Sequence, residues 1–450
     1  MTPASLPAGI GSEIHGLIRR LYPICRSITG DGLRESLGIL GERLPLEVKE
    51  VPSGTRVFEW EVPREWNIRD AFIRDERGRR VVDFSSSNLH VVGYSTPVRQ
   101  RMTLEELRPH LHSLPERPDW IPYRTSYYRE SWGFCLAHRV LEDMRPGVYE
   151  VEIDSSLEEG SMSYGELFLP GTEEAEVLIS THVCHPSLCN DNLSGVAVAA
   201  FLADHLRERP RRLSHRFLFL PGTIGAIAWL ALNETRVSRI RHGLVLSCLG
   251  DPGKLSYKRS RQGDAGVDRA VAHVLAHTAQ DYEIRDFTPY GYDERQYCSP
   301  GFNLPVGSLT RTPWGEFKEY HTSADDLDFV RPQALEESFR VCQKILDVVD
   351  QDAVFVNTSP KCEPRLSARG LWKEGGGEGG PGKENLAMLW VLNFSDGRHP
   401  LLQIAERSGM QFDTIRKAAD ELRRSGLVRQ LGSSGPDHRP FITEVGKEHP

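Results

Sequence analysis

No stretch of this chain is apolar for long enough to cross a bilayer, and its first residues, MTPASLPAGIGSEIH, carry neither a cationic start nor an apolar core of signal-peptide length. Neither a membrane partner nor secretion is expected, and the protein reads as cytoplasmic. Positive charge is also short. Lys and Arg number 55 against 63 Asp and Glu, a formal net charge of −8, which argues against a whole-chain footprint for nucleic acid or an anionic surface. The 8 cysteines follow no framework spacing, and 450 residues can bury a core without disulfide staples, so they read as reduced thiols. Cys184 and Cys189 bracket His185, but no second cysteine pair completes the four ligands of a structural zinc loop.

What is present is ordinary globular material, 39% hydrophobic and 26% charged, enough for two or three domains. The densest chemistry lies in EVLISTHVCHPSLCNDNLSGVAVAA, Glu176 to Ala200. Val177 to Ser180 predicts a buried strand, and His182, Cys184, His185, Cys189 and Asp191 crowd its end. Asn190 to Ser194 supply capping residues, and Gly195 onward predicts a helix. Open α/β sheets keep their ligand sites at such junctions. A lone loop histidine is usually only a solvated polar residue, and capping alone would explain Asn190 or Asp191. Tetrahedral zinc needs three or four protein ligands, so a remote segment must close the shell. EFKEYHTSADDLDFV, Glu316 to Val330, is the candidate: His321 precedes Ser323 and Asp325, which look like the start of a helix, with Glu316 and Glu319 beside it.

Gly9 to Leu44 place apolar residues at helical spacing on either side of CRSITGDGLRE. From Val51 the chain reads as short antiparallel strands bounded by Pro, Gly and Asp-Glu-Arg-Gly turns. The window WIPYRTSYYRESWGFCLAHRVLEDM is the most aromatic in the chain. Such density is more often core than pocket, but the interleaved polar residues leave Tyr123, Ser126 and Tyr127 as a candidate substrate wall. HRFLFLPGTIGAIAWLALN and GLVLSCLGDPG predict further buried strands followed by helices, the alternation of a mostly parallel sheet. Asp293, Glu294 and Arg295 stand on a Gly-Tyr turn before a strand-like PVGSL. RGLWKEGGGEGGPGKEN reads as a flexible linker. After it come three helical pieces, with Gly409 between the second and third, and RQLGSSGPDHRPFITEVG, which suits a two-stranded wing. That tail resembles a winged helix, a fold that often sets one helix in the major groove of DNA. Residues 385 to 450 hold nine Lys or Arg against eight Asp or Glu, so no basic stripe is present, and protein contact or homo-oligomer formation is favoured over nucleic acid.

The His–Asp cluster after a buried strand, taken with EYHTSADDLDF, resembles the co-catalytic zinc aminopeptidase superfamily. There the first segment reads His-x-Asp and then Asp-Asn-x-Ser-Gly, and the last ligand is the His of a Tyr-His-Thr-x-x-Asp run. The whole chain is similar to a bacterial group of aminopeptidase-like proteins associated with polysaccharide and other specialised biosynthesis. That match rests on RSITGDGLR, VPSGTRVFEWEVPREWNIRDAFI, SNLHVVGYS, IPYRTSYY, WGFC, THVCHPSLCNDNLSG, GYDERQYCSPGFNLPVGSL and EYHTSADDLDF. The resemblance implies an α/β core with a mixed, mostly parallel sheet and helices on both faces, interrupted by an inserted β-rich domain and followed by a winged helix. The expected boundaries are 1–52 and 160–360 for the core, 53–159 for the insert, 361–384 for the linker and 385–450 for the winged helix.

Carried over residue by residue, the resemblance gives Asp191 and His321 as metal ligands. His185 joins them by the Cys-His-Pro-Ser run, or His182 by strand alignment. The two adjacent Glu of the superfamily, one a general base and one a ligand, fall on Gly222 and Thr223. The remaining ligand, an Asp, falls near Ser247 and Cys248, with Asp251 slightly too late. One zinc ion is therefore expected in preference to two. The implied activity is metal-dependent hydrolysis of a small aminoacyl or acylamino substrate, with Glu294 first and Glu319 second as base and with Asp293 and Arg295 binding substrate. The competing expectation, supported by Gly222, is a catalytically altered protein that binds a ligand and reports it through the winged helix.

Overall fold

Ile10, Ile14, Ile18 and Leu21 recur one turn apart in the helix Ile10–Leu21 and all are buried, so the amino-terminal apolar spacing becomes a packed helix face. The computed structural model describes residues 9–279, 281–372 and 382–432. Two units divide between Val349 and Asp350.

The first unit is built on an eight-stranded sheet. Its order is Glu47–Pro52, Ser161–Leu169, Ser214–Leu220, Glu176–His182, Ile240–Leu246, Val306–Thr310, Leu255–Lys258, Tyr282–Arg285. The four strands from Ser214–Leu220 to Val306–Thr310 run parallel, while antiparallel pairs lie toward both edges. Every residue of Glu176–His182 and Ser214–Leu220 is buried. This is why the apolar residues Val177–Ile179 and Phe217–Leu220 run without alternation: a central strand covered on both faces has no solvent side to mark with polar residues. The helices Gly195–Arg207, Ile224–Leu232, Gly266–Thr278 and Pro332–Gln351 complete the α/β arrangement. Residues 321–330 do not start the last of these helices, which begins at Pro332. They form turns, because Asp325 points inward to accept backbone N–H groups.

Between the first two strands of that sheet the chain makes a separate four-stranded antiparallel sheet, in the order Arg80–Asp83, Glu65–Arg74, Val148–Glu158, Val98–Thr103. It has its own core, which includes Ala71, Ile73, Phe134, Val151 and Ile153. Arg34, on the helix Asp31–Gly41, clamps Glu65 of this sheet with two hydrogen bonds of 2.7 and 2.6 Å.

The second unit has helices Lys383–Phe394, Leu401–Ser408 and Phe412–Arg424, with Gly409 in the left-handed region at the turn between the last two. Its sheet sets Val354–Asn357 between Asp396–Pro400 and Val428–Gln430. The unit thus begins upstream of the Gly-rich stretch. Most of the expected wing lies outside the described residues. No helix among the described residues is long and apolar enough to cross a membrane.

Candidate metal centre

The end of the strand Glu176–His182, the loop that follows it and the loop after Val306–Thr310 meet around one carboxylate. His182 is the last residue of its strand, and Asp191 lies in the buried turn Cys189–Ser194 that leads into the Gly195 helix. Asp191 Oδ1 is 2.9 Å from His182 Nε2, while Asp191 Oδ2 is 3.0 Å from His321 Nε2 and 3.8 Å from His185 Nε2. The tightest three-ligand set is His182, His185 and Asp191, whose donor atoms all lie within 4.8 Å of one another. His321 joins it through Oδ2.

The electrostatics keep His185 and Asp191 in binding-competent states. Burial depresses the His185 imidazolium to a pKa of about 3, so this ring is neutral near neutrality. Burial pushes Asp191 up, but His185, His182 and His321 outweigh it and hold the carboxylate well below its usual range. A neutral imidazole beside an ionised carboxylate suits a divalent cation. Ligand atoms about 2.0–2.1 Å from a tetrahedral zinc lie about 3.3 Å from one another. The 3.0 and 3.8 Å separations at Asp191 Oδ2 bracket that distance.

Asn192 braces the His182 end of the strand: its Oδ1 accepts the Cys248 N–H at 3.1 Å, and its amide donates to Thr181 Oγ1 at 2.9 Å and to the His182 carbonyl at 3.0 Å.

The insert supplies a wall. Residues 121–123 run beside 321–323: Tyr123 N–H donates to the His321 carbonyl at 2.8 Å and Ser323 N–H to the Ile121 carbonyl at 2.8 Å. Tyr123 packs between His185 and His321, with ring centroids 5.1 and 5.0 Å away. Its hydroxyl meets that of Tyr127 at 3.0 Å. Ser126 is turned away, bonding the carbonyls of Gly93 and Tyr94. His321 is held with φ of 54°, a left-handed conformation that few side chains adopt without support.

The carboxylates proposed from the sequence divide sharply. Glu294 is fully buried, but its Oε1 lies 2.5 Å from Lys258 Nζ and both its oxygens accept the Tyr292 N–H at 3.1 Å. Asp293 is equally buried, and neither of its oxygens has a hydrogen-bond partner among the described residues. Burial, with Glu294 adding to it, raises its pKa far above the carboxylate norm. Arg295 is exposed, and Glu319 is half-buried with its backbone carbonyl capping Thr322. Asp251 is spent on Asn190, Gly253 and Thr312 and cannot serve as a late ligand.

Sequence reasoning passed over Tyr292, whose ring lies 3.9 Å from that of His182. A Cβ at Gly222 would fall 2.1 Å from Tyr292 Cε1. The place where a side chain at 222 would stand is thus filled by a phenol. The only sequence signal was the glycine itself, which reads as a missing acid until its neighbour is seen.

A model for a domain of unknown function (DUF4910) matches residues 15–352, and a winged helix-turn-helix model matches 353–430. A Clostridium acetobutylicum protein, provisionally named for polysaccharide biosynthesis with an aminopeptidase-like domain, is 49% identical over 419 residues, 93% of this chain and 96% of that one. The crystal structure of a provisionally named peptidase from the same organism superposes with a TM-score of 0.90 at 48% identity, covering 94% of this chain and 97% of that one. A zinc aminopeptidase from Bacillus subtilis shares the fold at a TM-score of 0.55 and 11% identity, over 75% of this chain and 95% of that one.

Proposed function

From a chain that belongs to the DUF4910 family and is aminopeptidase-like with a carboxyl-terminal winged helix, we propose a metal-dependent hydrolase acting on a small aminoacyl or acylamino substrate, in polysaccharide or specialised-metabolite biosynthesis. The observation that carries this reading is the meeting of three imidazoles, two from one strand end and the loop after it and one from a segment far along the chain, on the single carboxylate of Asp191.

His185, Asp191 Oδ2 and His321 would hold one zinc ion, and His182 would donate to the other oxygen and keep the carboxylate turned. The bound ion would supply Lewis acidity to an amide carbonyl. Tyr123 excludes water from one side of the cluster. Asp293, rather than Glu294, is the carboxyl left free to move a proton, since Glu294 is committed to Lys258. The test is amine release from a panel of aminoacyl amides and N-acyl amino sugars by zinc-loaded protein, with Asp191→Ala as control. Turnover that survives Asp191→Ala, or no turnover on any member of the panel, contradicts the reading.

One observation favours a second reading, a ligand-binding protein that has lost hydrolysis: the phenol at Gly222 stands where a base could otherwise be carried. Saturable binding of panel compounds without turnover supports it.

A further inference from the structure

Tyr292 is presented by a braced loop. Its N–H is held by Glu294, and Glu294 is held by Lys258, whose ammonium also donates to the carbonyls of Tyr290 at 2.7 Å and Thr288 at 3.3 Å. A Cβ at Gly291 would lie 1.9 Å from Glu294 Oε1 and 2.3 Å from Lys258 Nζ, so the brace requires glycine there. The phenol requires a second glycine: a Cβ at Gly222 would come within 2.3 Å of the Tyr292 hydroxyl and 2.5 Å of Cζ. Two glycines and a buried ion pair therefore fix one aromatic ring over His182, with an interplanar angle of 33°.

The hydroxyl so placed is almost uncommitted. Its one hydrogen-bond partner among the described residues is the Cys184 sulfur at 3.9 Å, a weak partner at the limit of reach. The Tyr123 hydroxyl, by contrast, is engaged by Tyr127. Tyr292 is half-buried as a residue, and the aromatic face of Trp314, 6.3 Å from its ring, continues the wall. Around Asp191 the other groups are imidazoles and a carboxylate. A phenol O–H beside them can be given to an oxygen acceptor on the ligand.

We propose that Tyr292 is a ligand-binding residue whose hydroxyl donates to a carbonyl, carboxylate or hydroxamate oxygen of an acyl compound bound against His182 and Asp191. The proposal deepens the hydrolase reading and rests on the cluster being a ligand site. It has a corollary: Gly222→Glu alone does not add a working carboxylate, because the new side chain must first expel the phenol.

The test uses acetohydroxamate, titrated calorimetrically into the full chain and into Tyr292→Phe, each metal-free and zinc-loaded. Phenylalanine keeps the ring on His182 and beside Gly222 and removes only the donor, and equal thermal midpoints verify the fold. The expected result is equal zinc uptake and an approximately tenfold weaker Kd for the hydroxamate in Tyr292→Phe, about 1.4 kcal/mol. Equal affinities in whichever form binds overturn the proposal, as does the absence of binding in every form. Failure of both proteins to take up zinc counts against the metal reading instead, and the metal-free titrations then decide the role of Tyr292.

Discussion

Asp325 holds Asp191 from behind: its Oδ2 accepts the Asp191 N–H at 2.9 Å, and its Oδ1 takes the preceding N–H, that of Asn190, at 2.5 Å. The central carboxylate therefore stands on a backbone fixed by a second, buried carboxyl group. Asp325→Ala leaves two buried N–H groups without acceptors, at roughly 1–3 kcal/mol each. Urea denaturation is expected to show that loss together with weaker zinc retention, while Asp325→Asn, which keeps one acceptor oxygen, loses less. Full zinc retention in Asp325→Ala would remove Asp325 from the site's support.

Glu294 and Lys258 give a second prediction. Lys258→Met strands a fully buried carboxylate and is expected to cost about 3–5 kcal/mol. Replacing both residues with methionine should recover much of that. A Lys258→Met protein as stable as wild type would contradict the buried ion pair.

The Arg34–Glu65 clamp predicts a pH signature. The Arg34 hydrogen bonds, helped by the Ser161 N–H, lower the Glu65 pKa to about 2. Because the folded value lies below the unfolded one, the stabilisation is full above about pH 4.5 and is lost as pH falls toward about 2. It amounts to at most about 3 kcal/mol. Wild type and Glu65→Gln should differ most in urea midpoint above pH 5 and converge on acidification; a gap that stays constant with pH would contradict the assignment.

The winged helix is expected to be a poor DNA binder. On the helix Phe412–Arg424, Asp420 lies 2.9 Å from Arg416 and 3.4 Å from Arg423, so two of its arginines already have partners. Fluorescence anisotropy of the full chain with random duplex should give a log–log salt slope no steeper than about −2. A slope near −5 would point to a phosphate-binding surface.

Some of this was readable before any coordinates. The apolar run Val177–Ile179 ends just before a dense polar cluster, which marked the candidate site, and the Tyr-His-Thr run pointed to His321 from far along the chain. The placement of Glu294 was not readable. Its partner Lys258 comes from a neighbouring strand, and no local pattern distinguishes a buried ion pair from a free acid on a loop. Tyr292 was hidden for a related reason, since its importance comes from space left at Gly222, on a different strand end. Val354–Asn357 is too short to stand out from the end of the preceding helix, so the second unit was expected to start later than it does.

The central claim is that Asp191 and its histidines hold one divalent metal ion. Elemental analysis of purified full-length protein after exposure to zinc and exhaustive dialysis tests it most directly. The account predicts about one zinc per chain, lost in Asp191→Ala and reduced in His321→Ala and His185→Ala. Wild-type protein that keeps no zinc, or an Asp191→Ala protein that keeps as much as wild type, would contradict it.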